Sequence, residues 1–185
     1  RTGTGKTAAF LLPIFEALKP GTGEGMAQAL ILAPTRELAI QIHGEIGKIG
    51  STLGFSSICL YGGSSYEQQI EALRKGTDII VGTPGRLMDH MKSKRLDLGG
   101  IKFAVLDEAD RMLDLGFADA LAEINRLTIE RRQTMMFSAT FASRIQQLAT
   151  RVMREPRKIQ VDSPQERHVN IKQVLFWADS PQHKR

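Results

Sequence analysis

The sequence is short of several things, and each shortage excludes a class of protein. A single cysteine, Cys59, leaves no internal disulfide framework and fits a reducing, cytoplasmic setting. Four histidines (His43, His90, His168 and His183) are scattered without metal-ligand spacing, so no zinc site is expected. The longest uncharged, largely apolar run, Ala8 to Phe15, is far below the roughly 18 residues of a membrane span. Aromatic residues are few: eight Phe, two Tyr and one Trp, not interleaved with basic residues. The chain therefore lacks the usual platform for stacking unpaired bases, and any nucleic-acid contact should be largely indifferent to base sequence. A basic stripe is also missing. The net charge is +5, but residues 1–150 carry 17 Lys/Arg against 16 Asp/Glu, while the last 35 residues carry 8 against 4. There is no internal repeat, which excludes a solenoid. The sequence opens with Arg1, so its true start is expected to lie upstream.

What is present is a folded domain. Of 185 residues, 42% are apolar and 24% charged, and the length suits one domain plus a remnant. Short runs rich in Ile, Val, Leu or Met predict strands at Gln28–Ala33, Ser57–Tyr61, Asp78–Gly82, Ile101–Asp107, Thr134–Ser138 and Lys158–Val161. Between them, apolar positions recur every three or four residues, as in Leu38, Ile42, Ile46 and Ile49, or Leu121, Ile124 and Leu127. Strands alternating with helices predict an α/β fold, a mostly parallel sheet covered on both faces. Pro20 to Gly25 reads as a flexible surface loop, and Met135-Met136-Phe137 and Cys59 as core. Ser163-Pro164 reads as a linker-like break, after which Val169 to Ala178 reads as one more strand.

Two clusters carry chemistry. Thr2-Gly3-Thr4-Gly5-Lys6-Thr7, before an apolar helical run, matches the second part of the phosphate-binding loop G-x-x-x-x-G-K-[ST]. There, glycine N–H groups face phosphate oxygens, the lysine reaches the terminal phosphates and the hydroxyl holds Mg²⁺. By itself this could also be a glycine-rich turn with a helix cap. A hundred residues later an apolar run ends in Asp107-Glu108-Ala109-Asp110. Ligands of open α/β sheets bind at the carboxyl ends of strands, so these acids should sit where a nucleotide's phosphates and metal would be. The competing reading is that Asp107 merely caps the following helix.

Four further segments fall in order around these two: Pro34-Thr35-Arg36-Glu37-Leu38-Ala39, Gly62-Gly63, Thr83-Pro84-Gly85-Arg86 and Ser138-Ala139-Thr140. With them the chain resembles the DEAD-box ATP-dependent RNA helicases over almost its whole length. The resemblance implies a RecA-like P-loop NTPase domain, the first of two, spanning residues 1–162. A linker at 163–168 and the first strand of a truncated second RecA-like domain at 169–185 would follow. It implies ATP and Mg²⁺ as cofactors, with Thr2, Gly3, Thr4, Gly5, Lys6 and Thr7 forming the phosphate loop and Thr7 and Asp107 holding the metal. It further implies that Glu108 activates the attacking water, that Asp110 meets the Ser138–Thr140 segment, and that Ser138 and Thr140 link hydrolysis to strand separation.

The same resemblance assigns RNA backbone contact to Pro34, Thr35, Arg36, Gly63, Thr83, Pro84, Gly85 and Arg86. The residue types suit the task. Thr35 precedes a helical pattern, and Thr83-Pro84 reads as an N-cap followed by proline in the first turn, so both should present helix N–H groups to phosphates. Three family parts are absent from these residues: the upstream adenine-reading glutamine segment, the core strand before the phosphate loop, and the second domain with its arginine finger. Alone, the chain should therefore hydrolyse ATP hardly at all. Two alternatives stand beside this reading, a nucleotide- or RNA-binding module without turnover and a P-loop motor acting on DNA.

Overall fold

The computed structural model describes residues 5–160. The expected linker at 163–168, the strand at Val169–Ala178, and Thr2, Gly3 and Thr4 lie outside the described residues.

Twelve elements and one short 3₁₀ turn follow in the order α1 (Lys6–Ala17), β1 (Ala29–Leu32), α2 (Arg36–Gly50), β2 (Ser57–Leu60), α3 (Tyr66–Arg74), β3 (Ile79–Gly82), α4 (Pro84–Lys92), β4 (Phe103–Leu106), α5 (Ala109–Asp114), α6 (Ala118–Leu127), β5 (Gln133–Met136) and α7 (Ser143–Val152). The five strands pair in parallel in the order β2-β3-β1-β4-β5. In β1, β3 and β4 every residue is buried, which is what a central parallel strand covered on both faces requires and why these strands read as unbroken apolar runs.

Successive side chains of a strand point to opposite faces, and the core divides accordingly. Ala29, Ile31, Ile79, Val81 and Val105 pack with Phe10, Leu11 and Ile14 of α1 and Ala39, Ile42 and Ile46 of α2. Leu30, Leu32, Ile80 and Leu106 pack on the other side with Leu87 of α4, Met112 of α5, Leu121 and Ile124 of α6, and Leu148 and Val152 of α7. This split follows from connection handedness. From β1 the chain steps across to β2 through α2, whereas every later connection steps back toward β5. With all crossovers of one hand, the reversed step must lie on the opposite face. The direction of winding therefore changes between β1 and β4, and ligands of such sheets bind at the carboxyl ends of strands beside such a switch.

Several expectations change in detail. Lys158, Ile159 and Gln160 are not in a strand, and Ile159 is 82% exposed. The segment Met135 to Phe137 is half-buried, because β5 is an edge strand, although its side chains still pack on the two core clusters. Cys59, in the opposite edge strand, is half-buried too, and burial pushes its thiol up to about 11, which suits an inert side chain. The Pro20–Gly25 loop is at the surface but tethered: Gly21 N–H donates to Asp78 Oδ1 at 2.8 Å, and Thr22 Oγ1 donates to the Lys19 carbonyl at 2.8 Å.

Candidate nucleotide and RNA site

Helix α1 starts at Lys6, capped by Gly5, whose φ of 72° is the left-handed conformation that glycine adopts without strain. Because α1 packs on the sheet face beside β1 and β4, its first residue arrives over the end of β4. There Lys6 Nζ lies 2.7 Å from Asp107 Oδ1. Asp107 is 1% exposed, so this ion pair offsets part of the cost of burying its carboxylate. The Asp107 carboxylate also accepts the Glu108 N–H at 2.9 Å. Two regions a hundred residues apart thus meet at the winding switch.

The helix cap after β4 is Glu108 rather than Asp107, which corrects the capping alternative. Glu108 holds φ 50° and ψ 53°, a left-handed conformation that costs a non-glycine residue free energy. Its N–H is held by Asp107, the next N–H, of Ala109, donates to the Phe137 carbonyl at 2.9 Å, and Arg111 Nη1 lies 3.6 Å from its carboxylate. This backbone geometry is imposed by its neighbours and leaves the Glu108 side chain lining an open cleft of about 420 Å³, together with Lys6, Asp110, Arg111, Phe137, Ser138 and Ala139. Asp110 and Ser138 share that cleft, but the Asp110 carboxylate forms no hydrogen bond to Ser138 or Thr140. Thr140 is exposed, and its N–H donates to Ser138 Oγ at 3.4 Å.

The segments expected to touch RNA occupy the other half of the same sheet edge, after β1, β2 and β3. Thr35 caps α2, its side chain accepting the Leu38 N–H at 3.3 Å. Arg36 is 55% exposed and its guanidinium carbon sits 6.0 Å from the Tyr61 ring centroid. Gly63 has φ 83°, and a Cβ there would lie 3.5 Å from Arg36 Nη1, so the β1 and β2 turns are in contact. Thr83 stands at the N-cap of α4 with Pro84 next, as the sequence predicts, but its hydroxyl makes no capping bond. Arg86 points toward Tyr66, its guanidinium carbon 5.2 Å from that ring's centroid.

The model of the DEAD/DEAH box helicase family matches residues 1–148. The chain belongs to that family. A DEAD-box ATP-dependent RNA helicase CshA from Streptococcus pneumoniae is 46% identical over 161 residues, which are 87% of this chain and 30% of that protein. The protein of the same name from Bacillus subtilis is 41% identical over all 185 residues, 37% of its length. Among solved structures, a DEAD box protein from Methanococcus jannaschii aligns with a TM-score of 0.74 at 39% identity, over 84% of this chain and 42% of that one. The yeast DEAD-box splicing factor Prp28 aligns with a TM-score of 0.76 at 37% identity, over 83% and 38%. The chain thus spans about a third of the length of these curated DEAD-box relatives, and its fold is the RecA-like α/β architecture of the family.

The described residues contain no cluster of three or more His, Cys, Asp or Glu that could cage a metal. Thr7, at the second position of α1, and Asp107 offer a hydroxyl and a carboxylate. That sparse, all-oxygen donor set fits Mg²⁺, which keeps several waters and shares its coordination with substrate phosphates. Of the cleft-lining residues, Arg111 was not singled out in the sequence, and Phe137 was read there only as core. Arg111 could have been, because it stands three residues after Glu108 on a helix, the spacing that brings side chains together.

Proposed function

We propose that this chain is the nucleotide-binding half of an ATP-dependent RNA helicase, working with a second RecA-like domain to couple ATP hydrolysis to RNA duplex opening or remodelling. The observation that carries the reading is the meeting of Lys6 and Asp107 at 2.7 Å beside a cleft that Glu108 also lines. The Thr2–Gly5 segment, which matches the phosphate-loop pattern, and the start of α1 bind phosphates, and Lys6 neutralises their terminal charge. Thr7 and Asp107 hold Mg²⁺, which when bound stabilises charge developing on the transferring phosphoryl group. Glu108 accepts a proton from the attacking water. Asp110 and Ser138, which line the cleft, and Thr140 beside them connect the hydrolytic centre to RNA strand separation.

RNA is held mainly by its backbone. Helices α2 and α4 direct their first N–H groups outward at Arg36 and at Gly85-Arg86, Pro34 and Pro84 stiffen the approaches, and Gly63 admits a phosphate close to the main chain. Such contacts carry no base preference. The single cysteine suits a reducing compartment such as the cytoplasm.

The decisive experiment is Glu108→Gln in the full-length protein, with ATPase measured with and without RNA. Loss of turnover with ATP and RNA binding retained supports the helicase reading. Unchanged turnover, or no turnover in the unmodified protein, supports a binding module instead. Competition between RNA and DNA for stimulation separates an RNA enzyme from a DNA motor.

A further inference from the structure

The glycine turn after β2 has no side chains of its own to define it, and Gly63 takes a left-handed backbone. Its shape must be imposed from outside. The residue that does so is Gln69, which is buried on α3 with 6% exposure. Its Nε2 donates to the Tyr61 carbonyl at 2.9 Å and to Ser64 Oγ, the two residues immediately flanking Gly62-Gly63. A carbonyl can only accept, so the amide nitrogen faces Tyr61 and the amide oxygen is left for the other side. There Oε1 meets His90 Nε2 at 2.7 Å. An amide oxygen also only accepts, so His90 carries its hydrogen on Nε2.

His90 is fully buried on α4, one helical turn beyond Arg86. Tyr66, at the start of α3, stacks on its ring with centroids 4.5 Å apart and planes 1° from parallel. The same tyrosine ring lies 5.2 Å from the Arg86 guanidinium, and its hydroxyl reaches Ser93 Oγ at 3.1 Å. Three side chains, Tyr66, Gln69 and His90, thus couple α3 to α4. Each end of this bridge reaches a turn assigned to RNA, Gly62-Gly63 on one side and Thr83–Arg86 on the other.

We propose that Gln69 and His90 are positioning residues for RNA: their buried side-chain bridge fixes the Gly62-Gly63 turn relative to the Thr83–Arg86 turn, so that one strand's backbone meets both at once. The inference rests on the RNA reading above. It adds residues that touch no RNA, and it explains why a polar pair is kept in a place where leucines would pack.

The test uses the full-length protein, with poly(U) RNA as probe, and measures the RNA concentration for half-maximal ATPase, the KM for ATP and the melting temperature. Gln69→Leu should raise the RNA half-saturation about tenfold while the KM for ATP stays put, because only the RNA turns lose their register. His90→Phe keeps the ring on Tyr66 but removes the donor, and should do the same. His90→Gln restores an N–H at the position of Nε2 and should recover RNA half-saturation to within about twofold. Folded Gln69→Leu and His90→Phe proteins with unaltered RNA half-saturation overturn the proposal, and so does a His90→Gln protein as impaired as His90→Phe. Should Gln69→Leu fail to fold, the two His90 variants decide; should His90→Phe also fail, His90→Gln against the unmodified protein decides on the same twofold criterion. Arg36→Ala is the control. If it weakens RNA while the bridge variants do not, the positioning inference alone has failed. If neither it nor the bridge variants do, the RNA reading fails and takes the inference with it.

Discussion

The two halves of the sheet's carboxyl edge are built on different principles. Around β4, β5 and the start of α1, the proposed chemistry is concentrated in charged side chains that face one another, with Lys6 and Asp107 paired at 2.7 Å and Glu108 beside them. After β1, β2 and β3 the proposed RNA contacts are spread over helix starts and a glycine turn, beside which the buried Gln69 and His90 join α3 to α4. Chemistry on phosphate needs particular charges at particular points. Gripping a repetitive backbone needs only correctly spaced donors. Single substitutions should therefore abolish activity in the first half and only grade it in the second.

The largest effect is expected at Glu108. Glu108→Gln removes the proposed base but keeps size and hydrogen-bonding capacity, so kcat should fall by at least about 100-fold with little change in ATP or RNA affinity. A parallel rise in the KM for ATP would move Glu108 from the chemistry to binding. Lys6→Ala comes next and has two consequences that can be separated. Nucleotide affinity should drop about tenfold or more through loss of a charge-assisted contact. The free chain should also lose stability, because Asp107 is left buried without its cation. Lys6 is about one-third exposed, so water partly compensates, and the loss should be about 1–2 kcal/mol rather than the larger cost of a fully buried pair. The denaturation midpoint measures it, and Lys6→Ala combined with Asp107→Asn should recover most of the stability but none of the nucleotide affinity.

The same contrast governs how much could be read from the sequence. The central strands were legible because burial on both faces demands continuous apolar runs, as in Ala29–Leu32 and Phe103–Leu106. Several strands were read one or two residues too long, because residues such as Asp107 after β4 and Ser138 after the edge strand β5 belong to the turns that follow. Lys158–Val161 has a strand's composition, yet a short apolar run does not by itself provide a pairing partner, and Lys158 to Gln160 lie outside the sheet. The phosphate and acid clusters were legible because their residue types and order are chemically specific. Gln69 was not, since a glutamine on an amphipathic helix reads as a solvated face. Only the fold brings it to His90, 21 residues away.

In the distributed half, Arg36→Ala should weaken RNA several-fold and lower the slope of log affinity against log salt by about one, the signature of one lost phosphate contact. Titrating ATPase stimulation against RNA at several salt concentrations measures both. An unchanged slope would show that Arg36 acts through Tyr61, over whose ring it lies, rather than through phosphate.

The smallest effect, and the one that most sharpens the contrast, is a dependence on pH. Burial holds the His90 imidazole below its ordinary pKa, and the Arg86 and Arg95 cations act in the same direction while Asp89 opposes them. On α3, Glu67 and Glu71 are engaged with Ser65 and Lys75, and the groups facing the ring are Tyr66 and Gln69. Protonation would place a hydrogen on Nδ1, a buried atom with no hydrogen-bond partner among the described residues. The sign follows from linkage. A histidine depressed in the folded state contributes its full stability above the unfolded value of about 6.5, and that contribution declines as pH falls below it toward the folded pKa, because the unfolded chain takes up the proton first. Between pH 7.5 and pH 5.5 the melting temperature should therefore fall, because the unfolded chain gains a proton that folded His90 resists, while RNA half-saturation of the folded protein changes little. His90→Gln removes the titrating group and keeps the donor, so its profile over the same interval should be flatter. If both proteins lose melting temperature equally, the acid sensitivity belongs to groups other than His90, and the buried bridge makes no pH-dependent contribution to the stability of its half of the edge.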